Sequence, residues 1–570
     1  MDRGQIHYEL FVRRNPASGW VLDLATEDRS RAVETAEALL EAGHVAAVRV
    51  TKEVLDPETR EFRSVTILNK GAPERGKQKK VVENREPLCV SPQDLYTLHA
   101  RERIGRLLDN WLLRQRATAF ELLHRADLVE KLDASGVELQ HAVQKVAVPE
   151  AQARGVGVHE IIRTFQTLIE RTIARLIRDQ RRGVFPDFAK ETFAGAVERL
   201  WNEPERGYLL GAGVAAYLGG SSGWNEKISR LLDLADKAPL ENGGRVAAFA
   251  AIEQPLAEIV GGKAGLGELL GADLDLGDTL AAITRLAGAR AVEALIQMEP
   301  SVAKVMPQLP PAAARLATWL DSGQFDSVRA ALALRVLREL VGPRRLKPGD
   351  PEAEIACLRA LAMALTAADG RILQLEDVHT VFATRSTTLV ASDFVESLLG
   401  KDRSAREEVE ILSHLAENVT GAANKRQAAR WLGANISALK FEKEMRYGPD
   451  TPPAKLAALA ALQRGIDRLG LPDEDRDLLK ARLGEIGGHV EADAKLLALL
   501  IRAEAPVVHK LSLLLRLATG EAAPLGPAAD RARLEALKLT RAPELRQEIA
   551  RSPQAAGKVR DLLRAAGLAA

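Results

Sequence analysis

At 570 residues the chain is too long for one ordinary hydrophobic core, which stops growing at roughly 250 to 300 residues, so three or four packing units are expected. Apolar residues make up 46% but aromatics only 4%, so the cores must be built from Leu, Ala, Val and Ile, a diet that favours helices. With 79 Lys and Arg against 78 Asp and Glu, the net charge of +1 excludes a global pull toward nucleic acid or anionic membrane, while two distant cysteines, Cys89 and Cys357, exclude CxxC redox chemistry and multi-cysteine zinc sites.

Residues 1–14 lack the apolar run and small-residue cleavage site of a secretory leader, and the expected location is the cytoplasm. Heavy use of Ala, Leu and Arg fits a GC-rich bacterial genome. Tyr8, Leu10 and Val12 alternate with polar neighbours, as do Trp20, Leu22 and Leu24 after the turn-forming Asn15-Pro16-Ala17-Ser18-Gly19, which reads as a hairpin. A helix follows, with Ala32, Val33, Ala36, Leu39 and Leu40 on one face and Gly43 as its stop. Two further strands flank Asp56-Pro57-Glu58-Thr59, which predicts a small β-β-α-β-β domain over 1–70.

Residues 71–92 hold Gly, Pro, Lys and Arg with little to bury, and read as a flexible basic linker containing Lys77, Lys79 and Lys80. Beyond it the pattern is helical almost without relief. Ile161, Ile162, Phe165, Leu168, Ile169, Ile173, Leu176 and Ile177 recur at helical spacing, with Gly183 and Pro186 past the end. A second helix is predicted from Asp326 as N-cap through Leu332, Val336 and Leu340 to Gly342. Proline and glycine clusters at 342–350 and 447–453 suggest boundaries, giving helical ranges 93–342, 350–446 and 454–570. No fixed-period repeat is present, so the expectation is a mainly α protein of irregular bundles, with a degenerate solenoid as alternative.

Motifs that carry chemistry are sparse. Gly219-Gly220-Ser221-Ser222-Gly223 matches GxSxG, and Gly211-Ala212-Gly213-Val214-Ala215-Ala216 matches a GxGxxA dinucleotide turn, but each needs a preceding strand and a parallel sheet that the pattern does not supply. They leave open an enzyme with a site between helices around a Gly-rich loop at 211–223. Gly262-Lys263 lacks the first glycine and the hydroxyl of a P-loop, and His159-Glu160-Ile161-Ile162-Arg163 has Arg163 where a zincin has its second histidine. No catalytic residue and no cofactor are predicted. Arg171, Arg175, Arg178, Arg181 and Arg182 crowd one helix end and, with Lys77, Lys79 and Lys80, are the nucleic-acid candidates; Glu170 and Asp179 interrupt them and no aromatic platform accompanies them.

Ala368-Asp369-Gly370-Arg371-Ile372-Leu373-Gln374-Leu375-Glu376, following a helix with Leu358, Leu361 and Leu365, resembles the A-D-G-x-I-x-x-x-E signature of TerB-like helical domains, the tellurite-resistance and stress-associated family. The resemblance covers about 350–437 and implies an all-helical module in which Asp369 and Glu376 help to bind a cation, without catalysis. By themselves the residues describe a helix stop at Asp369-Gly370 and a favourable acid, Glu376, in the next first turn. The functional expectation is a non-catalytic interaction, regulatory or scaffold protein with protein partners, since many amphipathic helices present faces to other helices.

Overall fold

The computed structural model describes residues 6–15, 20–55, 62–71, 88–240, 242–271, 273–551, 553–565 and 567. Lys77, Lys79 and Lys80, and the turn residues at 16–19 and 56–59, lie outside them. The chain divides into two compact units, Met1–Leu88 and Cys89–Ala570.

The first unit is the expected β-β-α-β-β domain: β1 Ile6–Arg13, β2 Val21–Thr26, α1 Arg29–Glu41, β3 Ala47–Leu55 and β4 Phe62–Gly71. Its antiparallel sheet has the order β2-β1-β3-β4, and Leu10 pairs with Val50 and Val12 with Val48. Those four side chains form the inner face and bury Ala32 and Ala36 of α1 against them. The Asp28 carboxylate caps α1 by accepting from Ser30 N at 2.8 Å and Arg31 N at 3.3 Å, and Gly43, at φ +70°, stops it as the sequence suggests.

In the second unit every element described is helical, from Pro92–Tyr96 to Pro553–Ala565. The mainly α class with a small N-terminal α/β domain is therefore what the chain adopts. Val158–Arg181 buries Ile161, Leu168 and Leu176 on the face their spacing marks. The helix Asp326–Val341 corrects the predicted cap: Phe325, in the left-handed region at φ +62°, stands at the N-cap, and Asp326 lies inside the first turn. Phe325 is drawn there because its ring stacks on Phe249 (centroids 5.4 Å apart) and lies beside Trp319, so core packing outweighs side-chain capping.

One apolar core runs from Phe120 to Val559. The proline-rich stretch at 342–350 is a turn clamped within it: Arg385, 2% exposed, donates to the carbonyls of Gly342 (2.7 Å) and Arg344 (2.6 Å) and to Glu354 (2.9 Å). Lys347 adds ion pairs to Asp275 (2.9 Å) and Asp278 (2.5 Å). From Leu276 onward, the helices that pack closely on one another are never more than four apart in chain order, while Pro311–Asp321 and Asp326–Val341 also reach back five helices, to Trp224–Asp236 and Asn242–Gly261.

Candidate functional site

The densest collection of buried chemistry surrounds the short helix Ala119–His124, all six residues of which are buried. Thr118 and Glu121 form a capping box, Thr118 N donating to Glu121 Oε2 at 3.1 Å and Glu121 N to Thr118 Oγ1 at 3.2 Å. The fully buried Glu121 carboxylate also receives Lys227 Nζ at 2.7 Å on both oxygens and Arg125 at 3.2 Å. Lys227 is almost as buried, and its Nζ donates in addition to the Arg116 carbonyl. Burial draws the Lys227 ammonium below its usual range despite Glu121 beside it.

A second buried pair joins this helix to Leu98–Leu107 and Asn242–Gly261. Glu258 Oε2 accepts from Phe120 N at 2.8 Å, Glu258 Oε1 lies 3.2 Å from Arg101 Nε, and Arg101 also bonds Gln254. Burial pushes the Glu258 carboxyl up to about 7, against the pull of Arg101 and the Phe120 amide. The Phe120 carbonyl can only accept, so His124 Nδ1, 2.8 Å away, carries a proton, and burial holds the ring neutral with its pKa lowered to about 4. His124 sits between Tyr96 (centroids 5.0 Å) and Tyr208 (6.0 Å), both phenols pushed up by burial, and Tyr208 Oη donates to Asp179 at 3.2 Å. A carboxyl poised near neutrality is a common catalytic device. Here Glu258 Oε2 is held by the Phe120 amide while Oε1 faces Arg101 as an ion pair without a hydrogen bond, and the arrangement locks three helices together.

The sequence candidates separate. Arg171, Arg178, Arg181 and Arg182 are exposed on Val158–Arg181 and just beyond its end, and the last three complement the helix C-terminus. Arg175 turns inward: its guanidinium lies over the Tyr208 ring at 4.1 Å and pairs with Glu205 at 2.7 Å. The Gly-rich loop expected at 211–223 is corrected, because 211–218 belongs to the helix Arg206–Leu218 and 219–223 alone forms the turn. Gly211 and Gly213 are helix-packing glycines: a Cβ would stand 2.7 Å from His124 Nε2 at the first and 2.9 Å from Pro186 Cβ at the second. In the turn, the buried Ser221 Oγ makes no hydrogen bond among the described residues. Ser222 N and Oγ both donate to Glu226 at 2.7 Å, holding that carboxyl down to about 2. Asn225 N donates to Glu268 at 3.0 Å, so two of the chain's own carboxylates already cap the helix Trp224–Asp236.

Asp369 and Glu376 are both exposed. Asp369 Oδ1 accepts from Leu375 N at 2.9 Å across a turn in which Gly370 has φ +70°, while Glu376 lies in the first turn of Leu375–Leu389. Among the described residues no group of three or more His, Cys, Asp and Glu is placed to hold a metal ion. A cavity of about 380 Å³ between Arg426, Arg430 and the start of the helix Asp473–Ala494 mixes two arginines with three carboxylates.

Sequence reasoning missed Arg101, Glu121, Lys227 and Glu258. The T-x-x-E spacing of Thr118 and Glu121 was a readable signal, but their partners stand more than a hundred residues away. It also missed an apolar surface. Leu240 is 90% exposed, Val246 70% and Trp201 40%. Gly243, at the start of Asn242–Gly261, lies against the Trp201 ring, whose Cη2 a Cβ would meet at 2.7 Å, Gly244 sits against Val197 and Pro239, and Leu240 and Val246 stand three residues to either side of Gly243 in the chain. Arg206 covers part of the ring, its guanidinium 4.8 Å from the centroid and Nη1 donating to the Trp201 carbonyl at 3.1 Å.

No family model, curated protein or solved structure matches the chain. No helix among the described residues is long and apolar enough to cross a membrane.

Proposed function

We propose that the chain works by binding other proteins, as a non-catalytic interaction or scaffold protein of the bacterial cytoplasm. The observation that supports this reading is the exposure of Trp201, Leu240 and Val246: Trp201 lies against Gly243, the other two stand three residues to either side of that glycine, and Leu240 is 90% exposed. Exposed single leucines are ordinary, whereas an exposed tryptophan is a residue type enriched among the anchors of protein contacts. The TerB-like resemblance over 350–437 enters this reading as a further helical module, with cation binding at Asp369 and Glu376 as part of the same proposal.

The test is affinity purification of the tagged full chain from its own cells, with and without nuclease, beside a Leu240→Asp variant. The reading expects a stoichiometric protein that survives nuclease and is lost with the variant. The exposed Arg171, Arg178, Arg181 and Arg182 favour a second reading, nucleic-acid association. That reading expects the bound material to vanish with nuclease and to fall off between low and moderate salt.

A further inference from the structure

We draw no further inference here: the strongest candidate, the cavity of about 380 Å³ between Arg426, Arg430 and the first turn of the helix Asp473–Ala494, is lined by exposed or half-buried side chains at a helix start beside an acidic cluster, and none of its lining residues holds a buried unpartnered group that would point to a ligand.

Discussion

Replacing Lys227 by Met removes the one ammonium that reaches both oxygens of the fully buried Glu121, each at 2.7 Å. What remains for that carboxylate is Arg125 at 3.2 Å and the Thr118 amide at 3.1 Å. Breaking a buried pair by deleting one partner costs about 3 to 5 kcal/mol, because a charge is left desolvated without compensation. Arg125 compensates in part, which places the expected cost near the lower end, about 3 kcal/mol. Whole-chain unfolding of a protein this size is not a single transition, so the measurement belongs at the helix itself. Native-state hydrogen exchange of the amides within Ala119–His124 is expected to accelerate about a hundredfold in Lys227→Met, the equivalent of that energy. Glu121→Gln keeps the cap on Thr118 but strands the ammonium and is expected to have an effect of the same order. The double variant carries neither charge and is expected to recover about 2 kcal/mol relative to the sum of the singles. Acceleration below about threefold in Lys227→Met, or strict additivity, would refute the idea that this pair holds the helix in place.

Glu258 has its pKa raised in the folded chain from an ordinary 4.5 to about 7, so its contribution to stability is present below 4.5 and is lost as pH rises through about 7. Glu258→Gln, which keeps the neutral form at every pH, is accordingly expected to melt above wild type at pH 8, by up to about 3 kcal/mol of stability, and to converge with it near pH 5; a variant less stable at pH 8 reverses the sign. Gly211→Ala places a Cβ 2.7 Å from His124 Nε2 and is expected to cost about 1 to 3 kcal/mol as the ring is forced off its bond to the Phe120 carbonyl, read as a fall in melting temperature. Cys357 is fully buried with its thiol pushed up to about 12, while Cys89 is half-buried, so a thiol reagent at pH 8 is expected to label Cys89 in the native chain and both cysteines after denaturation.

Period and punctuation made much of the architecture readable. Leu10 and Val12 announce the inner face of β1, the run from Ile161 to Leu176 announces the buried stripe of its helix, and Gly43 and Gly370 stand where positive φ is needed. Those signals are local, governed by side-chain period and backbone freedom within a few residues. Tertiary pull overrode them at Phe325, where three aromatic rings decided the cap. The buried polar centre was illegible for a different reason. Arg101, Glu121, Lys227 and Glu258 are ordinary charged residues on their own helices, and only the fold shows that they face inward. GxGxxA lacked the strand a phosphate turn needs, yet glycines that admit a phosphate and glycines that admit a neighbouring side chain look the same as letters; His124 and Pro186 supply the distinction. The apolar surface escaped because Trp201 and Leu240 belong to segments forty residues apart, each unremarkable alone.

From Leu276 onward each helix packs closely only on helices at most five before or after it in chain order, within one apolar core that reaches Val559. A growing chain with this wiring can add each helix to structure already standing, since almost no close pairing has to wait for a distant segment. The same wiring means that a chain interrupted partway leaves its last helices with an uncovered apolar face, so fragments ending inside the second unit should be sticky in proportion to the core they expose.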